Sequence, residues 1–157
     1  MEHSQLVQKI EKLEKQLEEI KKVDKLEHNT DRIYNTKTTF GYSQLVEARG
    51  GTVVYLSGMT PWNQELKLEE DGLIDQLDHA MMNLITLLKS KELTLDHLIS
   101  LRFYVAKPNY YDEMENFPGI ISKHFGKKEI ACTITLVGVT GLAEPGQLVE
   151  LEAIAVY

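Results

Sequence analysis

Ile130-Ala131-Cys132-Thr133-Ile134-Thr135-Leu136-Val137 and Gln147-Leu148-Val149-Glu150-Leu151-Glu152-Ala153-Ile154-Ala155-Val156 are the two stretches that decide the fold. Both are rich in β-branched and apolar side chains, and the glycines and the proline between 138 and 146 mark a connection. The sequence therefore predicts two strands that pair as neighbours in one sheet. The second is apolar on both alternations except at Glu150 and Glu152, which share a face. A carboxylate in a run that otherwise favours burial belongs at an edge, an interface or a pocket. One of these two is the first candidate for chemistry.

Upstream, Leu98–Val105 alternates as a third strand, with Ile99, Leu101, Phe103 and Val105 on one side. Leu73, Leu77, Met81, Leu84 and Leu88 recur at helical spacing. Met81 and Met82 read as core filler. A second helix is expected over Tyr110–Phe125, started late or kinked by Pro118. Tyr42–Ala48 and Thr52–Ser57 flank Arg49-Gly50-Gly51, a hairpin signal. The expected order is β-β-α-β-α-β-β, a mixed sheet with two helices packed on one face, hence α+β. The opposite face needs a cover, for which other subunits are the natural choice.

Residues 1–30 stand apart from a domain at 31–157. Over 4–27 the chain is almost entirely Glu, Lys, Gln and Leu, and Leu6, Ile10, Leu13, Leu17 and Ile20 alternate steps of four and three. That is an apolar seam, possessing only about two heptads. It predicts an amphipathic helix that packs on its own domain or a neighbouring subunit, forms a coiled coil with copies of itself, or recruits a protein partner.

The net charge of −7 argues against sequence-independent binding to a phosphate backbone. The single cysteine excludes an intramolecular disulfide, and no apolar run is long enough to cross a membrane. These features, with a charged rather than signal-like N-terminus, give the expectation of a cytoplasmic protein. The five histidines lack metal-ligand spacing, so neither a metal nor a cofactor is expected.

Several stretches then align with one family. Phe40-Gly41-Tyr42-Ser43-Gln44, Val54-Tyr55-Leu56-Ser57-Gly58-Met59-Thr60-Pro61, Gln76 with Asn83, and Glu150-Leu151-Glu152-Ala153-Ile154-Ala155-Val156 resemble, in order, the motifs of the RidA/YjgF family, also called endoribonuclease L-PSP. The resemblance spans about residues 33–157. It implies a chorismate mutase-like fold, a homotrimer, and clefts between subunits that bind a small metabolite. In active members an arginine beside the family cysteine grips the substrate carboxylate, and a C-terminal-strand carboxylate positions water for attack on an imine. Aligned on Cys132, that arginine position holds Ile130, which can neither grip an acid nor stabilise developing charge. Hydrolysis of 2-imino acids by the usual route is therefore not expected.

Lys127, Lys128 or Arg102 would have to replace the lost cation. Carried over residue by residue, the cleft comprises Tyr42, Ser57, Gly58, Asn116, Ile130, Ala131, Cys132 and Glu150, with Glu150 as the catalytic candidate. Cys132 has no histidine near it in sequence and reads as a structural thiol. Alternatives are a hydrolase for another imine or enamine using Glu150, and an assembly protein acting through the N-terminal helix. Ribonuclease activity finds no acid–base pair or basic groove here.

Overall fold

The computed structural model describes residues 3–21, 24–28, 41–106, 113–126 and 130–157. In chain order the elements are α1 (His3–Lys21), β1 (Asp24–His28), β2 (Leu45–Arg49), β3 (Val53–Met59), α2 (Leu73–Lys89), β4 (Leu98–Val105), α3 (Phe117–Phe125), β5 (Thr133–Gly138) and β6 (Val149–Val156). The α+β class is as expected, with a mixed four-stranded sheet of order β3-β6-β4-β5. β6 pairs antiparallel with both β3 and β4, and β4 pairs parallel with β5.

One face of that sheet is the core. Leu101, Phe103 and Val105 of β4 and Leu151, Ala153 and Ala155 of β6 are almost fully buried, as are Leu73, Leu77, Ala80, Met81, Leu84 and Leu88 along α2. The helical spacing read from sequence is thus the buried stripe of α2, although Met82, beside Met81, is exposed. Phe117 of α3 meets Phe103 edge-on, with ring centroids 5.0 Å apart, and anchors the second helix. Pro118 lies in the first turn of α3, where its missing N–H costs nothing. The opposite face carries Tyr55 of β3, Glu150, Glu152 and Ile154 of β6, and Ser100, Arg102 and Tyr104 of β4. No helix among the described residues covers it: Tyr55 is 78% exposed.

Four expectations change. β5 and β6 share a sheet but are not neighbours, because β4 lies between them. The Arg49-Gly50-Gly51 turn does not make a hairpin: β2 pairs antiparallel with β1, in a separate two-stranded sheet. The described helix runs over His3–Lys21, and residues 24–27, expected to be helical, belong to β1. Within the span expected as a helix over Tyr110–Phe125, the described residues form a 3-10 turn at Met114–Asn116 and are α-helical from Phe117. Residues 107–112 and 127–129, including Lys127 and Lys128, lie outside the described residues.

Candidate functional site

Glu150 stands on β6 opposite Tyr104, on the uncovered face. Beside it, β3 departs from regular pairing between Leu56 and Met59, which places Gly58 against the carboxylate. A Cβ on Gly58 would overlap the Glu150 carboxyl group, coming within 2.7 Å of its carboxyl carbon. Gly58 is therefore needed for room, not for an unusual backbone angle. The second carboxylate oxygen receives the side-chain amide of Gln147 at 3.3 Å, and that amide also donates to the Val149 carbonyl at 3.2 Å. Gln147 is itself 3% exposed, and its carbonyl oxygen has no protein partner among the described residues. Ser57 is exposed on β3 beside this group.

Two amides of α2 hold the strands in position. Gln76, fully buried, donates to the carbonyls of Glu70 (2.8 Å) and Gly146 (2.9 Å) and accepts from the Leu148 N–H (2.7 Å). It therefore fixes the chain just before β6 and hence Glu150. Asn83 donates to the carbonyls of Thr60 (2.8 Å) and Trp62 (2.9 Å), fixing the chain just after Gly58. Both were read in sequence as family motif residues; their role as struts needs the fold, because their partners lie up to 72 positions away. Gln147 was missed altogether. A lone glutamine before a strand carries no signal.

The second group of predicted residues surrounds the start of β5. Tyr42 bridges Ile130 in parallel, the Ile130 N–H donates to the Gly41 carbonyl at 2.7 Å, and the Ser43 N–H donates to the Cys132 carbonyl at 3.1 Å. The Ser43 hydroxyl bonds Glu27 of β1 and lies 3.3 Å from the Ile130 carbonyl. Ile130 (3% exposed) and Cys132 (1%) belong to the hydrophobic core, so they turn backbone rather than side chain outward; Ala131 between them is half-buried. Asn116 is exposed at the start of α3, and no side-chain cap bond holds it.

Burial pushes the Cys132 thiol up to about 12, against a smaller opposing pull from the Lys25 ammonium. At neutral pH it is therefore a thiol, not a thiolate, and a poor nucleophile. The native protein should resist a thiol reagent at pH 8, reacting at least about a hundredfold more slowly than in urea. Labelling at similar rates in both would contradict this placement.

The two groups are not adjacent within one chain. Thr133 pairs with Ser100, which pairs with Ile154, four residues along β6 from Glu150. At about 3.3 Å per residue, the Ile130–Cys132 segment lies more than about 13 Å from Glu150 along the strands. Arg102, on the uncovered face, is committed elsewhere: it donates to Glu152 at 3.3 Å and to the Tyr104 hydroxyl at 3.4 Å, while Tyr104 donates to Glu152 at 2.7 Å. Sequence parity could not separate the two carboxylates; these partners do. Glu152 is neutralised by Arg102, leaving Glu150 as the carboxylate without a cation among the described residues. No group of three or more His, Cys, Asp or Glu side chains suited to a metal occurs among those residues.

Gly58→Ala separates function from stability here. The clash falls on the far end of a flexible side chain, so folding should change by less than about 1 kcal/mol while the carboxylate is displaced. Any ligand contact made by Glu150 should weaken about tenfold or more. A calorimetric titration paired with a urea melt reads both; unchanged binding would remove Glu150 from the site.

Residues 33–157 match the family described as Endoribonuclease L-PSP. Protein HMF1 of Saccharomyces cerevisiae is 26% identical over 103 residues, covering 66% of this chain and 75% of that protein. The structure of YyfB from Yersinia pestis, a Rid-family protein described as of unknown function, superposes with a TM-score of 0.72 at 26% identity, covering 85% of this chain and 98% of that one. A member of the YjgF/YER057c/UK114 family from Mycobacterium tuberculosis gives a TM-score of 0.54 at 25% identity, over 87% of this chain and all (100%) of that one.

Proposed function

The chain belongs to the endoribonuclease L-PSP family, also called RidA/YjgF, and from that membership we propose that it binds a small metabolite in clefts between the subunits of a homotrimer. One observation carries the proposal: the Glu150–Gly58 group and the Tyr42–Cys132 group lie at opposite ends of one chain's sheet. Only the apposition of two copies lets a single ligand use both. The uncovered face, with Tyr55 at 78% and Val53 at 50% exposure, supplies apolar area for that apposition.

Standard 2-imino acid deamination is not the activity. Ile130 is buried core, Arg49 is paired with Glu47, and Arg102 is paired with Glu152; Arg32, the third arginine in the sequence, lies outside the described residues. A cleft presenting Glu150, with no unpaired guanidinium among the described residues, favours a neutral or cationic ligand over an anionic one. Glu150, half-buried on the uncovered face, is also suited to orient a water molecule, which supports a second reading: hydrolysis of a different imine or enamine.

Purified protein should sediment at three chain masses and clear 2-iminopropionate no faster than buffer. A panel of neutral and cationic amines and imines, screened by thermal shift and ammonia release, then separates binding from turnover. Glu150→Gln should abolish whichever is found. Rapid clearance of 2-iminopropionate sinks the first reading, and a monomer sinks the shared cleft.

A further inference from the structure

We infer that α1 forms a parallel, in-register coiled coil with α1 of other copies of this chain. Leu6 (46% exposed), Ile10 (46%), Leu13 (54%) and Leu17 (50%) project into solvent along one side of a 19-residue helix, joined by Val7 at 40%. The helix does not bury this seam on its own domain. A helix of this length is marginal alone in water, so the seam requires a partner.

The flanking charges identify that partner as a second copy and set its direction. With Ile10 and Leu17 at a and Leu6 and Leu13 at d, the e positions are Val7 and Glu14, and the g positions are Lys9 and Gln16. In a parallel in-register pair, g faces the e position of the next heptad of the partner. Lys9 then meets Glu14 of the other copy, and symmetry repeats the attraction. In the antiparallel arrangement that overlaps Leu6–Leu17, e faces e and g faces g. Glu14 then meets Val7 and Lys9 meets Gln16, so the charge attraction is lost. Ile10 at a with Leu13 at d favours two strands, whereas Leu17 at a with Ile20 at d favours more, so the seam itself does not dictate the strand number.

About two heptads are too short to join chains from dilute solution. They suffice when the domains already hold the helices at about millimolar effective concentration. To that extent the inference rests on the shared-cleft assembly proposed above, and three domains would bring three helices together.

The test uses the full chain carrying Leu6→Cys, with oxidised glutathione as oxidant. Cys132 is buried and does not compete. A parallel seam places the two introduced thiols side by side, giving a covalent dimer on a non-reducing gel. Adding Leu13→Glu should suppress that dimer about tenfold or more, while leaving the domain's melting temperature unchanged. K9E or E14K alone should slow cross-linking about threefold, and the K9E/E14K double variant should restore it. The inference is overturned by absent cross-linking, by cross-linking indifferent to Leu13→Glu, or by preferential joining of Leu6→Cys chains to Leu17→Cys chains, the antiparallel signature. Sedimentation of the Leu13→Glu protein distinguishes the failures. A trimer that does not cross-link loses only the coiled coil, whereas a monomer in the unmodified protein loses the shared cleft as well.

Discussion

Gln76→Leu is expected to destabilise the domain by about 2–4 kcal/mol, a large effect for a single substitution. Leucine nearly matches glutamine in volume, so little cavity forms, but three partly buried backbone groups lose their partner at once: the carbonyls of Glu70 and Gly146 and the N–H of Leu148. A buried polar group left unsatisfied costs about 1–3 kcal/mol, and these partly buried ones fall at the lower end of that range. The melting temperature should fall by on the order of 10 °C or more for a domain of this size. Because Gly146–Leu148 leads directly into β6, surviving folded protein should also bind ligand poorly, with Glu150 no longer fixed against Gly58. Urea unfolding gives the number. A loss under 1 kcal/mol at unchanged slope would mean that water replaces the amide, and Gln76 would no longer count as a strut.

Ile130→Arg is the second large effect, and it runs against a simple restoration of the family arginine. The native side chain is 3% exposed within the core, while its backbone is held by the Gly41 carbonyl on one side and lies near the Ser43 hydroxyl on the other. An unpaired guanidinium confined there would cost several kcal/mol in desolvation, so a loss of at least about 3 kcal/mol is expected, with no gain in 2-iminopropionate turnover. Circular-dichroism melts and an ammonia-release assay measure the two halves of this statement. A stable Ile130→Arg protein that turns over 2-iminopropionate would show that position 130 opens onto the cleft, and the reading of the ligand as non-anionic would fall with it.

The contrast between Glu150 and Glu152 shows where sequence reading stops. Both stood out as carboxylates in an apolar strand, and parity put them on one face. Choosing between them required knowing that Arg102 of β4 comes opposite Glu152 while Tyr104 comes opposite Glu150. A register between strands some 50 positions apart has no local signature. Gln147 was invisible for a similar reason: only its burial and its 3.3 Å approach to Glu150 give it a role. Gln76 and Asn83 were found through family motifs, yet what they do depends on loop carbonyls that helical spacing cannot indicate.

By itself the sequence determined the secondary structure wherever periodicity was sustained: α2 from its leucine spacing, β4 and β6 from their alternation, and α1 from its seam. It also supplied the family and the absence of arginine at position 130. These properties follow from side-chain pattern over a few turns or pleats, which the chain satisfies locally. The tertiary structure decided which strands became neighbours. It inserted β4 between β5 and β6, gave β2 to β1 instead of β3, and put the two halves of the candidate site at opposite ends of the sheet. Strand pairing is chosen by burying one face of every strand under the helices together, a condition on the whole chain that no single segment encodes.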